Sequence, residues 1–371
     1  MRPFIDYYRA NGISPVSQDI TDLARHFERR SSAYRAMGIA PALVNGVSVI
    51  EFGPGSGHNA LYTCSLQPRR FVAVDGNPTG LRALRALFSE YPAFTQPAIV
   101  ESMIEDFDTD ERFDIVICEG VIAQQNDPAA FARHVASFVR PGGVFLTTTY
   151  DGASALADQM RRLLNLRLPP ESSVEQRLAA LRPLFAPHVA TLSGMSRSFD
   201  DFLLDVIIQP MIGPLFSIVD IVPALDWDFD IYGCTPTFVQ DWRWYKTLVG
   251  EARHFNERTV DAYYANVANF IHHHAVLPPH SRLDGETLLR KCTAYYEKMQ
   301  AAQYGGPAEY EAALQALRDT IPDLQRLCPP AARPVAEFIA YLEGDENALD
   351  ECYSFWGRGQ QNVSFIRRSA H

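Results

Sequence analysis

VSVIEFGPGSGHNALY, residues 47–62, is the stretch whose reading decides how this chain folds. The apolar run Val47, Val49, Ile50 and Phe52 gives way to Gly53, Gly55 and Gly57, and a helical pattern opens at once with Ala60 and Leu61. That order predicts a strand, a tight loop and a helix N-terminus. Closely spaced glycines let the backbone turn sharply and approach a ligand, and the unpaired N–H groups of a starting helix favour an anion. The loop is therefore expected to hold a nucleotide-like cofactor.

Two templates fit the same residues. Counted from Gly55, the loop reads G-x-G-x-x-A, a dinucleotide fingerprint, with Asp75 downstream to take a ribose. Counted from Glu51 it reads E-x-G-x-G-x-G, and Ala98-Ile99-Val100-Glu101-Ser102-Met103, Phe113-Asp114-Ile115-Val116-Ile117-Cys118 and Pro141-Gly142-Gly143 before Val144-Phe145-Leu146 follow in order. On these motifs residues 30–150 resemble the class I S-adenosylmethionine-dependent methyltransferases. The resemblance implies a Rossmann-like α/β sheet with helices on both faces and S-adenosylmethionine as cofactor. It also implies roles: Glu51, Gly53, Gly55 and Gly57 at the methionine part, Asp75 on the ribose, and Gly76 and Asn77 between ribose and adenine. Ser102 and Met103 would face the adenine edge, and Glu119 and Gly120 would border the sulfonium. A nicotinamide-dependent oxidoreductase and a cofactor-binding scaffold without catalysis stand as the alternatives.

Two positions depart from the family. Ser102 stands where an acid is common, so a hydroxyl or backbone group must contact adenine. Val121-Ile122-Ala123-Gln124 has glutamine where many small-molecule members have histidine, and Gln124 cannot act as a base. The Asn-Pro-Pro-aromatic signature of exocyclic-amine methylation is absent from Cys118-Glu119-Gly120-Val121. A small-molecule acceptor, methylated on oxygen or nitrogen, is the resulting expectation.

Charge points the same way. The chain has 371 residues, is 47% hydrophobic and carries a formal net charge of −11, which opposes a sequence-independent grip on nucleic acid. The six cysteines are scattered without a C-x-x-C pair, as in a reduced, cytoplasmic protein. The amino terminus carries no export pattern. The apolar run 206–225 is interrupted by Gln209, Pro210, Pro214, Asp220 and Pro223, so it is expected to be buried in the protein rather than to span a membrane.

The domain plan is a helical lid over 1–46, a cofactor-binding core over 47–151, a mostly helical substrate-binding cap over 152–350, and a strand within 351–371 that returns to the sheet. In the lid, Ile20, Leu23, Phe27 and Tyr34 share a helical face, and Tyr7, Tyr8, Arg30 and Tyr34 are candidates to touch cofactor or substrate; plain packing is the competing reading. In the cap, Leu288, Leu289, Cys292, Tyr295, Tyr296 and Met299 form a helical stripe, as do Tyr310, Leu314 and Leu317, and Val335, Phe338, Ile339 and Leu342.

Methyl transfer leaves the protein little covalent work: it aligns donor and acceptor, excludes water and takes up a proton where the acceptor has one to lose. If a base is needed, His274 is the candidate, since it follows Tyr263, Val267 and Phe270 at helical spacing. A hydrogen-bonded structural histidine is the competing reading. The tract His272-His273-His274 with His280 lacks the carboxylate or cysteine spacing of a metal site, so no metal is assigned. His58, Tyr150 and Asp151 fall at expected strand ends. Asp241-Trp242-Arg243-Trp244-Tyr245 and Trp356-Gly357-Arg358-Gly359-Gln360-Gln361 are dense in aromatic and hydrogen-bonding groups suited to a pocket or to packing.

Overall fold

A computed structural model describes Tyr7 and residues 18–123, 125–345 and 349–369. Tyr8 and Gln124, both considered above, lie outside the described residues. The chain divides into two compact units: one of the described residues through Thr149 with Phe216–Val260 and the segment from Gln361 on, the other of Tyr150–Leu215 and Asp261–Gln360.

The first unit is built on a seven-stranded sheet of order β3-β2-β1-β4-β5-β7-β6. Its strands are β1 (Ser48–Phe52), β2 (Arg70–Asp75), β3 (Pro97–Glu101), β4 (Phe113–Cys118), β5 (Val139–Thr149), β6 (Phe229–Thr235) and β7 (Gln361–Arg367). β1 to β5 pair in parallel, and β7 runs antiparallel between β5 and β6. All five residues of β1 are buried, as a strand covered on both faces requires. The expected return of the last strand to the sheet is what the structure shows.

The covering helices follow their sequence signals. α1 (Leu23–Ala36) is capped by Asp22, and α2 (His58–Ser65) starts from Gly57. α3 (Pro78–Ser89) buries Leu81, Leu84, Leu87 and Phe88, and Asn77 caps it by accepting the Thr79 N–H. α4 (Pro128–Ala136) is capped by Asp127, whose side chain accepts from Ala130, with Pro128 at its first turn. Pro141-Gly142-Gly143 is not a turn ahead of β5 but an irregularity inside it: Phe113 pairs with Val139 and Ile115 with Val144. A Cβ on Gly143 would come within 2.9 Å of the Asp114 and Arg140 carbonyl oxygens, so only glycine fits there.

One element corrects the domain plan. Residues 216–260 belong to the first unit and not to a continuous cap over 152–350, because β6 pairs with β7 along Phe229–Thr235. β6 escaped the sequence reading because Tyr232 and Gly233 break its apolar alternation. Gly233 is required there, since a Cβ would meet the Met37 backbone at 2.7 Å. Ser364 on β7 donates its hydroxyl to the Met37 carbonyl at 2.8 Å, fixing the end of α1 against this edge of the sheet.

The second unit is helical. Its elements include α5 (Gly152–Leu166), α6 (Val174–Ala190), the long α7 (Arg282–Tyr304), α8 (Pro307–Arg318) and α9 (Pro329–Leu342). The α7 stripe is buried throughout, and Gly152 lets α5 start directly against α7, where a Cβ would lie 2.6 Å from the Thr293 nitrogen. Ile207, Ile208 and Met211 are buried here, and Phe216, Ile221 and Val222 are buried in the first unit, as the 206–225 run requires. Among the described residues no helix is long and apolar enough to cross a membrane.

Candidate functional site

The glycine-spaced loop sits at the carboxyl end of β1. Gly53, Gly55 and Gly57 have φ of +71°, +57° and +82°, a region that side chains with a Cβ resist. At Gly57 the space is closed as well, because a Cβ would meet Leu84 at 2.9 Å. The loop is tied to β2 by Asp75, whose carboxylate accepts the Gly55 N–H at 3.0 Å and the Asn77 N–H at 2.7 Å. Burial raises the Asp75 pKa, and these two N–H donors work against the rise. Each carboxylate oxygen keeps a further lone pair for a ligand hydroxyl.

Around this loop the predicted residues come together from four strand ends. Ser102, past β3, donates its N–H to the Asp75 carbonyl at 3.2 Å, and Met103 lies over Gly76, where a Cβ would meet its Sδ at 2.4 Å. Gly120, past β4, has φ of +72° and donates its N–H to Thr148 Oγ1 at 2.7 Å. Glu51 is buried at the end of β1.

Glu119 is held by α1. Arg30 Nη2 donates to both Glu119 carboxylate oxygens, at 3.1 and 2.9 Å, with side chains only 12% and 10% exposed. Burial works to lower the Arg30 pKa, but the Glu119 charge more than offsets it and keeps the guanidinium protonated. Arg30 is the middle of a row one helical turn apart. His26 shares a hydrogen bond with the His58 carbonyl at 2.9 Å, and Tyr34 OH with Thr63 Oγ1 at 2.7 Å. Sequence reading named Arg30, Tyr34 and Glu119 separately. It missed His26, and the i, i+4, i+8 spacing of the row was the signal that pointed to it.

The electrostatics are lopsided. Glu51 is pushed up to about 8, first by burial, then by the Glu119 charge, and further by Asp75, with Arg30 alone opposing. Three acids thus share one guanidinium, and Glu51 keeps its proton below about pH 8. Two buried donors nearby lack partners, Arg30 Nε and the Asn77 side-chain amide. An excess of acids, with Glu51 able to release its proton against a bound cation, and spare buried donors together suit a ligand that carries positive charge and offers hydrogen-bond acceptors.

The other candidates are engaged in other ways. His274 belongs to the second unit, and its helix ends at Ile271, with His272 in an extended conformation, so His274 is exposed rather than on a buried helical face. Its ring lies 3.7 Å from that of His273. Asp151 caps α5 through Ser154. His58 Nδ1 shares a hydrogen bond with Ser56 Oγ at 2.7 Å. Trp356 packs under the buried Arg161 guanidinium at 3.9 Å, so its segment is packing. Trp242, Trp244 and Tyr245 are 89%, 62% and 71% exposed, which is neither packing nor a pocket. Among the described residues no three His, Cys, Asp or Glu are placed to hold a metal ion.

The family of methyltransferase domains matches this chain over residues 17–182. Over that span the chain is similar to methyltransferase domains. The strand order and the glycine loop follow the pattern the sequence implied, with a mostly helical region beyond. The chain is 30% identical over 125 residues to a ubiquinone biosynthesis O-methyltransferase of Methylobacterium sp. (strain 4-46), an overlap of 32% of this chain and 49% of that one. It is 31% identical over 115 residues to a tRNA U34 carboxymethyltransferase of Campylobacter curvus, covering 30% of this chain and 38% of the relative. The chain therefore spans half or less of the length of these curated relatives. Among solved structures, PKMT2 from Rickettsia typhi in complex with AdoHcy aligns over 93% of this chain and 53% of its own at 13% identity, with a TM-score of 0.42. Magnesium protoporphyrin IX methyltransferase from Synechocystis PCC 6803 aligns over 62% and 90% at 15% identity, with a TM-score of 0.39.

Proposed function

We propose that this chain is a methyltransferase that transfers a methyl group from S-adenosylmethionine to oxygen or nitrogen of a small molecule, in natural-product, lipid or glycan tailoring in the cytoplasm. The observation that carries the reading is the excess of acids at the glycine loop: Glu51, Asp75 and Glu119 against Arg30 alone, with Glu51 holding a proton it can release to a bound cation. S-adenosylmethionine, when bound, supplies a methyl group activated by a sulfonium charge. The acids favour that cation and disfavour the doubly negative pyrophosphate of a nicotinamide dinucleotide.

On this reading Asp75 takes the ribose hydroxyls, and Gly53, Gly55 and Gly57 bring backbone against the amino-acid end. Gly76, Asn77, Ser102 and Met103 flank the adenine, and the spare Asn77 amide donates to it. Glu119 and Gly120 border the transferred group, with Arg30 holding the Glu119 carboxylate in one orientation. The glycine loop and the α2 N-terminus offer the anion-binding N–H groups for the amino-acid carboxylate. A small acceptor is supported by the net charge of −11 and by the ubiquinone-biosynthesis relative.

Titration calorimetry on the full chain tests the reading. S-adenosylmethionine is expected to bind, NADH is not, and Asp75→Ala is expected to weaken S-adenosylhomocysteine at least about tenfold, since it removes charge-assisted hydrogen bonds. Binding of NADH in preference to the sulfonium compound would overturn it.

A further inference from the structure

We propose that the helical unit carries a surface site for a phosphate group, held by the side chains of His272, His273 and Arg358 with His274 beside them. The histidines follow the short helix Ala268–Ile271, and two backbone hydrogen bonds lace them to the segment that carries Arg358. His273 N–H donates to the Trp356 carbonyl at 2.9 Å, and Arg358 N–H to the Phe270 carbonyl at 3.2 Å. The three imidazoles form a row, with ring centroids 5.6 Å apart for His272 and His273 and 3.7 Å apart for His273 and His274. The row faces solvent: His274 is exposed, and His272, His273 and Arg358 are partly so.

Hydrogen bonds fix which nitrogens remain for a ligand. The Trp356 carbonyl lies 3.1 Å from His273 Nδ1, and a carbonyl can only accept, so Nδ1 carries the proton and Nε2 of the neutral ring has only a lone pair. His272 is the reverse. Its Nδ1 accepts the His274 N–H at 3.2 Å, so its Nε2 carries the proton. Among the described residues neither Nε2 has a hydrogen-bond partner. Arg358 donates from Nε to the Asn269 carbonyl at 2.5 Å and from Nη2 to the Ala275 carbonyl at 2.8 Å, which closes the chain around it and leaves Nη1 over.

The charge here is one-sided. His272 is pushed down to about 4, first by burial and then by His273, His274 and Arg358. His273 is lowered by burial, against its bond to the Trp356 carbonyl, and further by His274 and Arg358. Among the described residues no carboxylate acts on either ring. The layer beneath adds to the excess. Arg161 stacks on Trp356 at 3.9 Å, and His188, which accepts from it, is held neutral by burial and by the Arg161 charge. Asp158 acts on Arg161 but on neither His272 nor His273.

These donors select the ligand. Positive charge with no acid to answer it favours an anion, and the separate N–H groups on His272 Nε2 and Arg358 Nη1 suit one with several oxygens. A phosphate group has three such oxygens and close to two negative charges at neutral pH. Its charge favours the protonated form of His273, and protonation turns His273 Nε2 from a lone pair into a third donor. Binding therefore takes up a proton and tightens as pH falls. The histidines are not placed to hold a metal ion. The site stands apart from the proposed methyl transfer and does not depend on it.

Calorimetry on the full chain tests the site with three probes: sulfate, a dianion whose charge is constant near neutrality, inorganic phosphate and phenyl phosphate. Sulfate is expected to bind about tenfold more tightly at pH 6 than at pH 8, and its heats in buffers of different ionisation enthalpy to show proton uptake. His272→Asn keeps an acceptor for the His274 N–H and removes the Nε2 donor, so phosphate is expected to weaken about tenfold or more. His273→Asn keeps a donor to Trp356 and cannot ionise, so affinity at pH 8 is expected to stay near wild type while the gain at pH 6 disappears. Phenyl phosphate binding as well as inorganic phosphate would identify the ligand as a phosphate ester, and preference for inorganic phosphate as the free ion. The inference is overturned if none of the three probes binds, if sulfate affinity is independent of pH, or if His272→Asn binds phosphate at full strength. S-adenosylhomocysteine, titrated in parallel, reports on the methyltransferase reading separately, so either can fail without the other.

Discussion

Replacing Glu51 with glutamine is expected to stabilise the cofactor-free protein while weakening its hold on S-adenosylmethionine. Glu51 is 4% exposed, and its pKa rises from 4.5 to about 8, chiefly through burial and then through Glu119 and Asp75. An acid whose folded pKa lies above its unfolded one is bound to its proton in the folded state while the unfolded state has released it. Stability then falls as pH rises between the two values and is level outside them. At about 1.4 kcal/mol per pH unit, the folded protein loses roughly 5 kcal/mol between pH 4.5 and 8 on account of this group. Glutamine has the same shape and never ionises, so the variant escapes that loss. The difference between variant and wild type is expected to be near zero at pH 4.5, about 3 kcal/mol at pH 7 and greatest at pH 8 and above. Urea denaturation of the cofactor-free chain at pH 5, 7 and 8.5, wild type beside Glu51→Gln, reads it directly, because every other titrating group is common to both. Calorimetry at pH 8.5 is expected to show S-adenosylmethionine weakened more than S-adenosylhomocysteine, which lacks the sulfonium charge. A stability difference independent of pH, or a variant less stable at pH 8.5, would refute the reasoning.

Three further outcomes follow from the same geometry. Arg30→Met leaves Glu119 buried without its partner and is expected to cost about 3–5 kcal/mol, with much of the loss recovered in Arg30→Met/Glu119→Gln, as read from unfolding midpoints. Gly57→Ala places a Cβ at φ of +82° and 2.9 Å from Leu84, so a loss of about 1–3 kcal/mol and weaker cofactor binding are expected in melting and titration. His274→Ala, at an exposed position past the helix end, is expected to change stability by less than about 0.5 kcal/mol and to leave cofactor affinity intact.

Residues 47–62 and the motifs after them were enough to read a Rossmann-like sheet and the loop at its centre, because the glycines, the buried parallel strands and the helix caps act locally. β1 buries every residue, Asp127 caps its helix, and Asp75 stands within reach of Gly55, all within short chain distances. Glu51, Asp75 and Glu119 could be named for the same reason: each ends a strand, and strand ends in a parallel sheet share one edge. Their mutual effect could not. Arg30 meets Glu119 across 89 positions of chain, and Glu51 acquires its raised pKa only when folding brings three acids into one dry place.

β6 and the histidine tract show the same boundary from the other side. β6 is an edge strand interrupted by Gly233, and only its pairing with β7, far along the chain, makes it part of the sheet. His274 fitted a helical face that ends three residues before it. The sequence alone determined the elements whose causes lie within a few residues. Tertiary structure decided which charged groups are buried together and which stay open, since burial and Coulomb energy depend on distance in space rather than along the chain.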